Sequence, residues 1–182
     1  FLKYLQNITG IKETLISDPY LSGGGYHEIK NGGVLKVHAD FNRHPLLDLD
    51  RRVNLLLYLN KNWKEEWGGN LELYSPVDLD RPVVKVTPEF NRCVIFNTTS
   101  YTYHGHPENI SCPEEVSRKS IALYFFSTGR PNNEVSAEHS TMWKEVKGEK
   151  FSSDPLTMAK FIKLIMPPII LECLKWVQKK VK

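Results

Sequence analysis

The chain has 182 residues, 41% of them hydrophobic, and a formal net charge of +3. This length allows one substantial hydrophobic core, and we therefore expect a single domain over residues 1–182. Basic side chains are dispersed apart from a short C-terminal cluster. A nucleic-acid-binding surface is not expected, because such a surface needs a basic patch or stripe.

The cysteines and the most apolar segment indicate the surroundings of the chain. Cys93, Cys112 and Cys173 are odd in number and lack CxxC spacing, so neither a disulfide framework nor a zinc ribbon is predicted. This favours a reducing, cytoplasmic location. Residues 161–177 are interrupted by prolines and charges and fall short of the roughly 20 apolar residues that a membrane-spanning helix requires. We expect no membrane span, with interfacial contact of this segment as the alternative.

The first two segments of the chain differ in their apolar pattern. Residues 1–19 form a predicted helical flank, because apolar side chains recur at near-helical spacing up to about Leu15. Residues 20–128 contain short runs rich in valine, leucine, tyrosine and phenylalanine, separated by glycine, proline and asparagine clusters, as in an antiparallel sandwich or barrel. The predicted strands are residues 33–38, 52–59, 70–74, 83–86, 92–96 and 119–126.

The third segment, residues 129–182, begins as a polar stretch. A helix is predicted from about Asp154, and Pro167–Pro168 is expected to break it in two. The whole pattern predicts a mainly β fold with flanking helices.

One short motif predicts a metal site. His38 and Asp40 lie two positions apart in a predicted strand, so alternation directs both side chains to one face, where they can bind one ion. A second imidazole would complete a facial triad that leaves positions open on iron(II). His104 is the favoured candidate, and His106 is the alternative. An isolated His-x-Asp pair also arises by chance, so this motif needs support from elsewhere in the chain.

A second pair of residues predicts a carboxylate-binding wall. Arg118 and Ser120 share a strand face by the same alternation, which places a guanidinium fork beside a hydroxyl. An arginine can hold a carboxylate through two hydrogen bonds, whereas a lysine acts more as a point charge. The alternative interpretation is an ordinary solvated arginine at the start of a strand.

The order of these motifs resembles the prolyl 4-hydroxylase-like branch of the iron(II)/2-oxoglutarate-dependent dioxygenases. The resemblance runs from about Tyr26 to Phe126 and includes Tyr58-Leu59-Asn60 and Gly68-Gly69 between the His-x-Asp and Arg-x-Ser motifs. It implies a double-stranded β-helix core, also described as jelly-roll or cupin-like. Residues 108–117 make the interval before Arg118 longer than in many relatives, which weakens the match at that arginine.

The resemblance also implies a role for each site residue. The catalytic iron ligands are His38, Asp40 and His104, and the residues that bind 2-oxoglutarate are Arg118, Ser120, Tyr58 and Leu71. Arg118 is expected to bind the distal carboxylate, Ser120 and Tyr58 to donate hydrogen bonds, and Leu71 to form an apolar wall. Asn54 shares strand parity with Tyr58 and is expected to face the cavity, toward substrate. Iron(II), 2-oxoglutarate and O2 are the implied cofactors, with ascorbate as an optional reductant.

The implied reaction is hydroxylation of an unactivated C–H bond with release of succinate and CO2. A prolyl residue in a peptide or protein is one expected substrate, and a small molecule is the other. Two rival functions remain open at this point. One is a cupin-type metal protein, either an isomerase or a dioxygenase that does not use 2-oxoglutarate, and the other is a non-catalytic β binding module.

Overall fold

The structure, a computed structural model, describes residues Phe1–Lys144. In that part of the chain helix α1 (Leu2–Thr9) is followed by ten strands, with 3-10 turns at Glu65–Trp67 and Asn132–Glu134. The strands are β1 (Ile16–Ser17), β2 (Gly25–Lys30), β3 (Leu35–Ala39), β4 (Asp50–Tyr58), β5 (Leu71–Ser75), β6 (Asp78–Val86), β7 (Cys93–Asn97), β8 (Tyr103–His106), β9 (Ser117–Ser127) and β10 (Met142–Trp143). The predicted C-terminal helix lies outside the described residues.

The strands form two antiparallel sheets, here called the large-core and small-core sheets. In the large-core sheet, β9 pairs along one edge with β1 and β2 and along the other with β4, which pairs with β7. The small-core sheet has the order β10-β3-β8-β5-β6. Strands β2 to β9 pass repeatedly from one sheet to the other. This connectivity confirms the predicted double-stranded β-helix.

Alternation along β4 separates an apolar face from a polar one. Val53 and Leu55 are buried on the outer face of the large-core sheet, where they pack with Leu5 of α1 and with Leu15. Each fully buried leucine contributes about 2 kcal/mol to the free energy of unfolding. The intervening Asn54 therefore faces the other way, into the space between the sheets, as side chains in strands alternate.

Several element bounds differ from those predicted. The helix ends at Thr9 instead of about residue 15, because Gly10 has a left-handed φ of 73° and its N–H binds the Gln6 carbonyl at 3.0 Å. Strands β2 and β8 were not predicted, and β10 adds a strand from the segment expected to be polar and helical. Strand β6 is also longer than expected and tolerates Pro82 because it lies at a sheet edge. Among the described residues, no helix has the length and apolar character needed to cross a bilayer.

Candidate active site

Three side chains meet between the sheets, here called the triad: His38 and Asp40, which are two residues apart, and the distant His104. Strand pairing places His38 directly opposite His104, on β3 and β8, and Asp40 follows the end of β3. One potential ligand atom from each lies within 4.8 Å of the other two. The His38 and His104 Nε2 atoms are each 3.5 Å from an Asp40 carboxylate oxygen. Two imidazoles and one carboxylate are the donor set of a facial triad.

Backbone carbonyls hold both imidazoles in the orientation that a metal needs. His38 Nδ1 lies 2.8 Å from the Lys36 carbonyl oxygen, and His104 Nδ1 lies 3.4 Å from that of Thr102. A proton on Nδ1 leaves the Nε2 lone pair free for a metal. Burial lowers the pKa of His104 to about 4, so its imidazole is neutral, as a ligand must be. The triad therefore fits iron(II).

The third member of the triad, Asp40, is held by two neighbours on β4. Asn54 Nδ2 donates to Asp40 Oδ2 at 2.7 Å, and Arg51 Nη2 lies 3.1 Å from the same oxygen. Burial alone would raise the pKa of Asp40, but its hydrogen bond with His38 and the Arg51 charge hold that pKa well below its usual range. Asp40 is therefore an ionised carboxylate with a fixed orientation.

Arg51 is positioned by two aromatic rings. Its guanidinium carbon lies 4.4 Å from the centroid of the Phe41 ring and 3.5 Å from that of Tyr124. Such cation–π contacts stabilise a desolvated guanidinium. The same guanidinium donates through Nε and Nη2 to Asn54 Oδ1, at 3.1 and 2.8 Å. Arg51 and Asn54 thus form one network behind Asp40, and Asn54 contacts the triad where contact with substrate was expected.

The residues expected to bind 2-oxoglutarate gather around Arg118, and we call Tyr58, Leu71, Arg118 and Ser120 the arginine pocket. Arg118 is only 5% exposed, and it donates through Nε to the Gly69 carbonyl at 2.7 Å and through Nη2 to the Tyr58 hydroxyl at 3.2 Å. Because Tyr58 accepts that bond, its own proton is free to be donated elsewhere. Burial raises the pKa of Tyr58, which keeps the phenol protonated.

The other members of the arginine pocket are also buried. Ser120 pairs with Tyr58 across β9 and β4, is 3% exposed, and its hydroxyl makes no hydrogen bond within the described residues. Leu71, also 3% exposed, begins β5 two residues after Gly69. A Cβ at Gly69, whose φ is 69°, would lie 3.1 Å from Arg118 Cδ. The second glycine of the Gly-Gly pair therefore allows the arginine to lie against the backbone.

The remaining histidines and tryptophans have separate roles. His44 is buried away from the triad, with Nε2 3.1 Å from Asp18 Oδ1, and so stabilises the fold. Trp63 and Trp67 stack edge to face with centroids 5.3 Å apart, and Trp63 donates to the Gly68 carbonyl at 3.1 Å. His106 is 2% exposed, and burial followed by the Arg118 charge lowers its pKa to about 3, while the Glu108 backbone acts in the opposite direction.

The chain is similar to one protein family and to several known proteins. Residues 24–126 match the family described as the 2OG-Fe(II) oxygenase superfamily. Mouse prolyl 3-hydroxylase OGFOD1 is 34% identical over 79 residues, which are 42% of this chain and 14% of that protein. Prolyl 4-hydroxylase from Phytophthora capsici is 29% identical, with a TM-score of 0.42 over 56% of this chain and 31% of that one. Trichoplax adhaerens prolyl hydroxylase, solved with a hypoxia inducible factor peptide fragment, is 26% identical, with a TM-score of 0.44 over 56% and 42% of the two chains.

The family match covers more than half of the chain, and the chain belongs to the 2OG-Fe(II) oxygenase superfamily. This confirms the predicted family, together with iron(II), 2-oxoglutarate and O2 as its cofactors, and displaces the cupin-type alternative. The chain spans less than half the length of each relative named above.

Proposed function

We propose that this chain is the catalytic core of an iron(II)- and 2-oxoglutarate-dependent dioxygenase that hydroxylates a prolyl residue of a peptide or protein. Succinate and CO2 are the accompanying products. The observation that carries the proposal is the convergence of His38, Asp40 and His104, whose potential ligand atoms lie within 4.8 Å of one another. The arginine pocket on the facing strands supports it.

Each part of the site has a defined task in this proposal. The triad binds iron(II), and the three protein ligands leave positions open for cosubstrate and O2. Arg118 binds the distal carboxylate of 2-oxoglutarate, assisted by hydrogen bonds from Ser120 and Tyr58, while Leu71 packs against the carbon chain. The metal and 2-oxoglutarate together supply the oxidising power that inserts an oxygen atom into an unactivated C–H bond.

The protein contributes orientation and the exclusion of water. Arg51 and Asn54 fix the Asp40 carboxylate, and the Lys36 carbonyl fixes the His38 ring, so the donor atoms need no reorganisation when metal binds. His38, His104 and Arg118 are each at most 6% exposed, which limits access of bulk water to both ends of the cavity.

A prolyl substrate is supported by the similarity to mouse prolyl 3-hydroxylase OGFOD1, which is 34% identical over 79 residues. A surface cavity of about 580 Å³ is lined by Ser22, Gly23, Phe41 and Pro45, among others. The Phe41 ring also contacts Arg51, which binds Asp40, so this cavity adjoins the triad. It is large enough for a proline ring with flanking backbone, and we assign it to the substrate.

The test is cosubstrate turnover by the full chain. With iron(II), 2-oxoglutarate and air, succinate release is measured without substrate, with proline-containing peptides, and with the same peptides carrying alanine for proline. We expect stimulation by the prolyl peptides alone, and a mass increase of one oxygen atom on proline. Stimulation by small molecules instead would reject the prolyl substrate, and absence of 2-oxoglutarate binding would reject the oxygenase function.

A further inference from the structure

One buried histidine belongs neither to the triad nor to the arginine pocket. His106 is 2% exposed, and neither of its ring nitrogens forms a well-aligned hydrogen bond within the part of the chain that the structure describes, although the Glu108 backbone lies close enough to raise its pKa. Buried polar atoms in native proteins are almost always hydrogen-bonded, because leaving one unpaired costs the desolvation of that group. Such an imidazole therefore indicates a missing partner.

The position of His106 on β8 directs it toward the arginine pocket. Tyr103 packs in an apolar cluster with Val37 and Ala39, so alternation places His104 and His106 together on the opposite face. Pairing of Gly105 with Glu72 then brings His106 beside Leu71 on the neighbouring strand β5.

Gly105 keeps β8 close to β3 at this point. A Cβ there would lie 2.7 Å from the Leu35 carbonyl oxygen and 2.9 Å from that of Lys36. Only glycine allows this approach, since a side chain would collide with backbone atoms that cannot move away. The two histidines on either side of Gly105 are thereby fixed in one direction, with His104 in the triad and His106 one step further along the cavity.

The wall that faces His106 is rich in hydrogen-bond donors. Arg118 forms no ion pair with any Asp or Glu of the described residues, and its Nη1 makes no hydrogen bond there. The Ser120 hydroxyl and the proton of Tyr58 are likewise available. A buried guanidinium without a protein carboxylate requires an anionic partner from elsewhere. A carboxylate can accept about four hydrogen bonds, which is more than Arg118 alone supplies.

We propose that His106 donates a ring N–H to the distal carboxylate of 2-oxoglutarate, beside Arg118, and so sets the affinity of the site for this cosubstrate. This inference rests on the proposed function. The competing role is structural. His106 also lines a small cavity with Asn70, whose Oδ1 has no hydrogen-bond partner in the described residues, and a buried water linking the two side chains would satisfy both.

The experiment measures 2-oxoglutarate binding without turnover. The full chain is loaded with Mn(II) under anaerobic conditions, and 2-oxoglutarate is titrated calorimetrically into wild type, His106→Leu, His106→Asn and His106→Gln. Asn carries an amide near the position of Nδ1 and Gln near that of Nε2. His139→Leu is the control, because His139 binds Ser100 and Ser140 and lines the substrate cavity instead of the arginine pocket, and no substrate is present in this titration.

We expect His106→Leu to weaken 2-oxoglutarate binding roughly 10- to 100-fold, as for loss of a hydrogen bond to a charged group. The Mn(II) affinity of His106→Leu should be unchanged, and His139→Leu should bind 2-oxoglutarate as wild type does. One of the two amide variants should recover most of the affinity for 2-oxoglutarate. Equal affinity in wild type and His106→Leu would overturn the proposal. So would a loss of Mn(II) affinity or of thermal stability that all His106 variants share, since that is the signature of a packing role.

A measurement on wild type keeps the proposal testable if His106→Leu fails to fold. Histidine labelled with ¹⁵N is introduced into the Zn(II)-loaded chain, and His106→Gln identifies the His106 resonances. Addition of 2-oxoglutarate should shift and protect one His106 ring N–H, and absence of any change would overturn the proposal. If wild type binds no 2-oxoglutarate at all, the proposed function itself fails, and the two failures are distinguished.

Discussion

The triad and the arginine pocket treat their polar atoms in different ways. At the triad, backbone carbonyls hold His38 and His104, while Asn54 and Arg51 hold Asp40. At the arginine pocket, Arg118 Nη1 and the Ser120 hydroxyl have no partner within the described residues. Each of the three triad side chains is thus held by a hydrogen bond or an ion pair, although Arg51 behind them keeps one unpaired nitrogen, Nη1. The arginine pocket has several donors without a protein partner.

This difference matches the two kinds of ligand in the proposed function, a metal ion and a cosubstrate. A metal ion binds lone pairs and donates no hydrogen bonds, so the protein itself must orient the ligands, and the supporting contacts can be permanent. A cosubstrate that is consumed in each cycle brings its own acceptors, so donors that were already satisfied would have to be released at each binding. The triad should therefore respond to loss of its supports, and the arginine pocket to loss of its donors.

The largest effect is expected from removal of a triad member. In Asp40→Ala the carboxylate that neutralises the metal is lost, and Arg51 loses its ion-pair partner. We expect 2-oxoglutarate turnover to fall below detection and metal affinity to fall by more than about 100-fold, beyond the range seen for outer contacts. Succinate release and metal titration are the measurements.

The control for Asp40→Ala is Asp48→Ala. The Asp48 side chain is 90% exposed and pairs with Arg43, which lines the substrate cavity and contacts no triad residue, so this variant should retain metal affinity. Turnover by Asp40→Ala at the wild-type rate would remove this residue from the proposed ligand set.

The next largest effect is expected at the arginine pocket, and it should leave the metal in place. Arg118→Met removes the charge and both hydrogen-bonding arms, and we expect the KM for 2-oxoglutarate to rise about 100-fold or more. The KM of Arg118→Lys should lie between those of wild type and Arg118→Met, because an ammonium keeps the charge and loses the planar fork. Metal affinity should be unchanged in both.

Arg52→Met is the matched control, since Arg52 is 3% exposed but binds Glu13 and Glu134 instead. Its removal should lower thermal stability and leave the KM for 2-oxoglutarate at the wild-type value. A similar KM in Arg118→Met and wild type would show that the cosubstrate is bound elsewhere.

The sequence predicted the parts of the site that depend on local spacing. His38 and Asp40 are two residues apart, and so are Arg118 and Ser120, and strand alternation alone places each pair on one face. The strand that carries His104 could not be predicted, because Tyr-His-Gly-His has little β propensity of its own. It is a strand because β3 and β5 hydrogen-bond to it on both sides, and such tertiary context overrides local preference.

The supporting residues were beyond the reach of the sequence for a related reason. Arg51 precedes a predicted strand and reads as a solvated charge, but Phe41 and Tyr124 bury it from distant parts of the chain. Asn54 was expected to face the cavity, but its hydrogen bond to Asp40 depends on how β3 and β4 are placed in the two sheets. Alternation gives the face of a side chain, and only the packing of the two sheets gives its partner.

A third variant tests the hydrogen bonds that support the triad. Asn54→Ala removes the donor to Asp40 Oδ2 and the acceptor of Arg51. We expect metal affinity to fall roughly 10- to 100-fold, as for other outer contacts, with an unchanged KM for 2-oxoglutarate once metal is saturating.

Asn60→Ala is the matched control for Asn54→Ala, because Asn60 is equally buried but bonds only to the backbone of Pro88 and Lys119. It should lose stability and keep its metal affinity. Equal metal affinity in Asn54→Ala and wild type would mean that Asp40 needs no support from β4.

The smallest effect is expected at the donor with the least charge. Ser120→Ala removes one neutral hydroxyl from the arginine pocket, and we expect the KM for 2-oxoglutarate to rise about 3- to 10-fold with little change in kcat or stability. The Ser117 hydroxyl donates to Glu28 at 2.6 Å on the other face of β9, so Ser117→Ala should leave both the KM for 2-oxoglutarate and kcat unchanged. Because Ser120 has no partner to lose within the described residues, its removal costs nothing until 2-oxoglutarate binds. A drop in stability without any rise in KM would show that its donor was already in use, and the contrast between the triad and the arginine pocket would not hold there.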